Sequence, residues 1–359
     1  MNWLRMAAAA GCAALLAGCG APALPWTAGS GETASAESPS DAGLITVGFA
    51  QVGEESDWRR ANSVSIEDAF STKSGYRLLF DDGQNDPDNQ IVAIRNFIQQ
   101  EVDYIVLEPI IEDGWDTVLK EAREAGIPVI VADRQIRVQD DSLYAAWAGS
   151  DCLLEGRMAC EWLHAWCAAK GIPDESLKIV NLQGTLGSTP QIGRDGALKE
   201  SCSAYGWELL AQTRGEFTQA KGREAMEEML AAYPSLNVVY CDNDNEAYGA
   251  IDAILKAGRT PGTDLAGGDI LVISFDAAKK ALTYVKNGQI AVDGECNPLH
   301  GPRIRSIIEK LEEGGEVSKT QYVEEGLFAA DSTVPSVTAD GITRDVTVVT
   351  QRVIDDRSY

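Results

Sequence analysis

The chain has 359 residues, 45% of them hydrophobic, and sets 30 Lys and Arg against 55 Asp and Glu for a formal net charge of -25. That length is enough for two domains with buried cores. The charge excludes nucleic acid and the capture of anions by bulk attraction. Past the amino end, no segment holds the roughly 18 uninterrupted apolar residues of a membrane span.

Met1 to Gly20 carries one positive charge, Arg5, an apolar run from Met6 to Ala17, and the sequence Leu16-Ala-Gly-Cys19. This reads as a secretory signal with an apolar region too short to span a bilayer. Leu-Ala-Gly-Cys resembles a bacterial lipobox, which implies cleavage before Cys19 and a diacylglycerol thioether on it. Several acyl chains hold a protein at a membrane surface far better than one. Residues 1–18 are thus expected to be a signal peptide. Residues 19–43, rich in Ala, Ser, Gly, Pro, Thr and Glu, are expected to be a lipidated flexible tether.

From Ile45 the chain alternates strand and helix every 25 to 30 residues. Short apolar runs bounded by turn residues mark strands at 45–50, 76–80, 104–107 and 129–132. A second series follows at 178–182, 207–212, 237–241, 270–275 and 290–292. Runs of this kind suit strands buried on both faces. Asp86-Pro87 makes an N-cap and first helical residue, followed by a stripe of Ile91, Ile94, Phe97 and Ile98. Ser150 or Asp151 opens another helix, which Gly171-Ile-Pro ends. Two βα series predict an α/β fold of two Rossmann-like parallel-sheet lobes joined by a hinge, with a cleft between them.

The carboxyl ends of the strands carry the chemistry, because ligands of open α/β sheets bind there. The first turn packs acids, Trp58, Arg59 and Arg60 into a few residues. An aromatic face, guanidinium groups and carboxylates suit a hydroxyl-rich ligand such as a sugar. Glu108 follows the third strand, Asp133-Arg134 the fourth, and Gly184 and then Arg194 the fifth. Glu216-Phe217, Asp242-Asn243-Asp244, Asp276, and Glu295 with Asn297 follow the remaining four. For any one of these, a solvated loop charge is an equally good reading; as a set they converge on the cleft.

Of eight cysteines, Cys12 leaves with the signal and Cys19 is lipidated, leaving Cys152, Cys160, Cys167, Cys202, Cys241 and Cys296. Cys160 and Cys167 would stand about 10 Å apart along one helix, too far for a disulfide. A bridge involving Cys202 stays open, and no Cys or His spacing fits zinc. No metal or cofactor is expected. No nucleophile elbow, phosphate loop or raised-pKa acid supports catalysis, since arginine neighbours keep Asp133 and Asp276 ionised. A repressor of the same fold would begin with a helix-turn-helix, where this chain has a signal and tether.

The chain resembles the type I periplasmic solute-binding proteins of the ribose/galactose class, nearest to their galactofuranose-binding subgroup. The carrying segments are 47–59, Asp82-Gly-Gln-Asn85, Gln90-Ile91, Gly114-Trp115, Ile127-Pro-Val-Ile-Val-Ala-Asp-Arg134, Gly215-Glu-Phe-Thr218, Lys221-Gly222, Asn243-Asp244 and Ser274-Phe-Asp276. The likeness runs from about Ile45 to Gly314 and fades from Glu316. Glu108 departs from it, where relatives carry a small residue or an amide. The resemblance implies an amino-terminal lobe of 44–148 and 296–322 and a carboxyl-terminal lobe of 149–295 and 323–359. It implies Trp58 and Phe217 as aromatic platforms, and Asp133, Arg134 and Arg194 as grips on hydroxyls. Asn243 and Asp276 are implied as contacts of the second lobe, Glu295 as a contact near the hinge, and Glu55 with Arg59 as the first loop of the furanose subgroup. Gln51, Glu108 and Asn297 are weaker candidates. The implied function is a monomeric, extracytoplasmic lipoprotein that closes on a monosaccharide and delivers it to an ABC permease with its ATPase subunits. The alternative is a sensor that presents sugar to a receptor kinase.

Overall fold

The computed structural model describes residues 43–359. The signal segment and Cys19 lie outside the described residues. From β1 (Ile45–Gln51) the chain runs through α1 (Asp57–Ala69), β2 (Tyr76–Asp82), α2 (Pro87–Gln99), β3 (Tyr104–Leu107), α3 (Asp116–Glu124) and β4 (Val129–Ala132) to β5 (Ala146–Gly149). It then enters α4 (Cys152–Lys170) and repeats the pattern with β6 (Lys178–Gln183), α5 (Thr189–Tyr205), β7 (Glu208–Arg214), α6 (Gln219–Ala232) and β8 (Val238–Cys241). The series closes with α7 (Asp244–Lys256), β9 (Leu271–Asp276), α8 (Lys279–Lys286) and β10 (Val292–Glu295). The helix α9 (Gly301–Glu312) and β11 (Thr320–Tyr322) return to the first sheet. The chain then crosses again to β12 (Leu327–Ala329), β13 (Ser336–Ala339), β14 (Ile342–Val348) and α10 (Gln351–Asp356).

The first sheet has the order β11-β5-β4-β3-β1-β2 and the second β13-β14-β12-β10-β9-β8-β6-β7. Every pairing in the first is parallel. The second is parallel from β7 to β10 and then gains β12 antiparallel to β10, with an antiparallel hairpin of β13 and β14 at its edge. The fold is therefore the expected pair of α/β lobes, with one mixed flank that no apolar run announced. Each lobe changes winding direction beside its first strand, at β1/β3 and β6/β8, which is where such sheets open a crevice. Strands β3, β4 and β8 are buried along their whole length, so they read as unbroken apolar runs rather than alternation.

Caps fix where the helices start. The Ser56 side chain accepts from the Arg59 N–H, Asp86 from Asp88, and Asp151 from Leu154, each such cap stabilising its helix by about 1 kcal/mol. Gly171 ends α4 at φ 69, a left-handed position where glycine carries no Cβ penalty. All six cysteines among the described residues are free, so no bridge forms at Cys202. Three crossings connect the sheets: 150–151, 296–300 and 323–326. The two lobes are parts of one compact unit.

Candidate functional site

A cavity with about 270 Å³ of space free of atoms is lined by Glu55, Ser56, Trp58, Arg59, Asp133, Arg134, Pro190, Arg194, Phe217, Asn243, Asp276 and Cys296. Its residues follow strands of both sheets. Wider surface grooves of about 1,200 Å³ exist, but each holds a single arginine and a single aromatic ring, against Arg59, Arg134 and Arg194 with Trp58 and Phe217 here.

In the first lobe the Ser56 cap puts Trp58 and Arg59 in the opening turn of α1. The Trp58 indole N–H donates to the Cys296 carbonyl at 2.6 Å, and the Arg59 guanidinium stands 4.5 Å from the Trp58 ring centre. Arg59 donates to Glu108 at 2.5 Å, Asp133 at 2.7 Å and Glu55 at 3.3 Å. Arg134 donates to Glu55 at 2.5 Å and to the Ile110 carbonyl at 3.1 Å. Burial alone would raise the Asp133 pKa, but Arg59 and Arg134 outweigh it and hold this carboxyl below its ordinary value. Asp133 is thus an ionised acceptor.

In the second lobe Arg194 gives both its Nε and Nη2 hydrogens to Glu155 Oε2, at 2.9 and 2.7 Å, and Nη1 to the Asp242 carbonyl at 2.5 Å. Phe217 is clamped at both ends of its backbone: its N–H donates to Glu246 and its carbonyl accepts from Asn243. A Cβ on Gly184 would overlap the Phe217 ring, so the platform needs glycine there. Asp276 Oδ1 lies 3.9 Å from Arg194. Asp276 departs from the expectation that arginine neighbours keep it ionised: burial, reinforced by Asp244, outweighs Arg194 and raises its pKa well above its ordinary value. Across the cleft, Arg134 stands 5.2 Å from the centre of the Phe217 ring.

Asp133 (φ 59), Glu216 (φ 53), Phe217 (φ 58), Asp276 (φ 112) and Ala277 (φ 52) all adopt left-handed backbone. Each such non-glycine residue is strained, and strain of this kind gathers where side chains must be aimed at a ligand.

Of the ten binding residues expected from sequence, the structure gathers nine around this one cavity. The exception is Glu295. Its Oε1 accepts from Arg357 at 2.5 Å and from the Tyr359 hydroxyl at 2.8 Å, and its Oε2 from the Gly326 N–H. It ties down the carboxyl-terminal residues, and Cys296 lines the cavity instead. Successive strand residues face opposite sides, so an error of one position at the end of β10 reverses the side chain. Gln51 and Glu108 stand behind Arg59, both bonded to Asn62. Asn297 caps its own turn by accepting from the Leu299 N–H. Ser56, Pro190 and Cys296 were not singled out; Ser56 and Pro190 carry helix-start signals that could have placed them.

Residues 47–293 match the family model of the periplasmic binding protein domain. The chain is 34% identical over 293 residues to the galactofuranose-binding protein YtfQ of Escherichia coli K12, covering 80% of this chain and 89% of that one. A solved Mycobacterium smegmatis structure in complex with β-D-fucofuranose is 37% identical with TM-score 0.75, over 81% of this chain and 93% of that one. The periplasmic component of the arabinose ABC transporter of Shewanella sp. ANA-3, bound to α- and β-L-arabinofuranose, is 36% identical with TM-score 0.73, over 80% and 93%.

Proposed function

The chain belongs to the periplasmic binding protein family, and from that premise we propose that it captures a neutral monosaccharide in its furanose form and delivers it to an ABC permease. The observation that carries this reading is the charge pairing of the cavity. Arg59 faces Glu55, Glu108 and Asp133, Arg134 faces Glu55, and Arg194 faces Glu155. No arginine of the cavity is left to neutralise an anionic ligand. Hydroxyl groups, which both donate and accept, fit between such pairs without upsetting their charge. Trp58 and Phe217 supply aromatic surface for the apolar face of a sugar ring.

Capture proceeds by closure of the two lobes about their three crossings. Closing expels water, and each charge-assisted hydrogen bond gains strength in the drier cavity. Nothing in this scheme makes or breaks a covalent bond, so the chain acts as a binder rather than an enzyme. The arabinofuranose-bound relative above is the periplasmic component of an ABC transporter, which favours a permease over the receptor-kinase alternative. The Leu16-Ala-Gly-Cys19 motif supports attachment to the outer face of the cell membrane. Mass spectrometry of the membrane-bound protein should find acyl groups on Cys19, and Cys19→Ser should release the protein. An unmodified amino end would remove the anchor from the account.

Thermal-shift screening against pentoses, hexoses and their phosphates tests the main reading. A ligand that binds only the folded state raises the melting temperature. Neutral sugars able to adopt furanose rings should do so and sugar phosphates should not. Stabilisation by phosphates alone would contradict it.

A further inference from the structure

One carboxylate touches all three crossings. Glu325, on the third, accepts from the Ser150 hydroxyl of the first at 2.7 Å and from the Asn297 N–H of the second at 2.6 Å. Glu155, Cys296 and Glu325 each place a side-chain heteroatom within 4.8 Å of the others. Glu155 gives Oε2 to Arg194, yet its buried Oε1 meets no donor. Two ionised carboxylates this close would repel, and a buried acceptor without a donor costs about 1–3 kcal/mol. A single proton held between them removes both penalties.

We infer that Glu155 and Glu325 share one proton, and that this makes Glu325 a positioning residue for Arg194, tying the three crossings to the cavity in the closed form. This rests on the sugar-binding reading above. Burial and then Glu155 raise the Glu325 pKa well above its ordinary value, and burial raises Glu155 in spite of Arg194. The other charged or titratable groups facing the pair are Asp276 and Cys152 by Glu155, Cys296 between the two, and Arg303 by Glu325. Asp151, Glu324, Arg344 and Asp345 line the groove outside. Opening the lobes turns the crossings relative to one another, so the shared proton is held at neutral pH in both forms but more tightly in the closed one. Raising the pH removes it, sets two carboxylates against each other and favours opening.

The test compares wild type with Glu325→Gln, whose amide stands in for the protonated acid. Calorimetry with L-arabinose and D-galactose should show wild-type affinity falling about tenfold as the pH is raised from neutrality into the alkaline range. The variant should bind at neutral pH within about twofold of wild type and stay flat across that range. Infrared difference spectra of the sugar-free proteins should show a protonated-carboxyl carbonyl band at neutral pH that the variant loses. Matching pH profiles in the two proteins, or no such band, would overturn the proposal, as would a cation bound in place of the proton. A wild type that bound neither sugar would instead count against the sugar reading, and the infrared arm would still decide whether the proton is there.

Discussion

At the scale of single residues, the site is a set of arginines each held in place by carboxylates, and the most exposed link in that logic is Asp133. It is ionised, bonded to Arg59, and held at φ 59. Alanine tolerates that conformation poorly, whereas asparagine adopts it readily, so Asp133→Asn separates binding from folding better than Asp133→Ala. Losing a charge-assisted bond of about 2–3 kcal/mol should weaken sugar binding about 30- to 150-fold by calorimetry, with the melting temperature nearly unchanged. Unchanged affinity would remove Asp133 from the site. Glu108 gives a second prediction. Burial pushes its carboxyl up to about 7 from the ordinary 4.5. Because the folded value is raised, its contribution to stability is fully present below about 4.5 and is lost as the pH rises through about 7. Glu108→Gln should therefore flatten the fall in melting temperature between about pH 5 and pH 8. An equally steep fall in the variant would contradict this.

At the scale of elements, how much could be read depended on what each segment packs against. The inner strands β3, β4 and β8 are continuous apolar runs because helices cover both of their faces, and the segments after the strands carried nine of the ten expected lining residues. The strand β5, Ala146-Trp-Ala-Gly149, is short and built largely of small residues, so nothing in its composition separates it from a loop. The hairpin of β13 and β14 did carry a signal. Asp340 (φ 52) and Gly341 (φ 75) form its tight turn, and Asp-Gly between alternating residues marks such hairpins. Glu295 was misplaced because the tail that claims it is distant in sequence and makes no local pattern. The closed arrangement also relies on contacts between helix starts and loops of opposite lobes. The Thr189 hydroxyl at the start of α5 accepts from the Gln135 N–H at 2.7 Å and donates to Glu112 at 2.8 Å. Thr189→Val breaks both bonds without touching the cavity. By stopped flow, sugar should dissociate about fivefold faster, the equivalent of about 1 kcal/mol. An unchanged dissociation rate would show that this latch does not hold the lobes together.

At the scale of the whole molecule, the net charge of -25 and the cavity's own pairing point the same way. The surface repels anions, and inside the cleft no cation is left to bind one. Two similar lobes, joined by three crossings, supply one aromatic ring and at least one arginine each, so neither lobe alone completes the site. The central claim is that the closed cleft holds a neutral furanose, and it is tested most directly by calorimetry with sugars of defined ring form. Free L-arabinose and D-galactose, which populate furanose rings in solution, should bind at a single site, while the methyl pyranosides of the same sugars should give no heat of binding. Pyranosides binding as tightly as the free sugars, or no binding by any of them, would contradict the account.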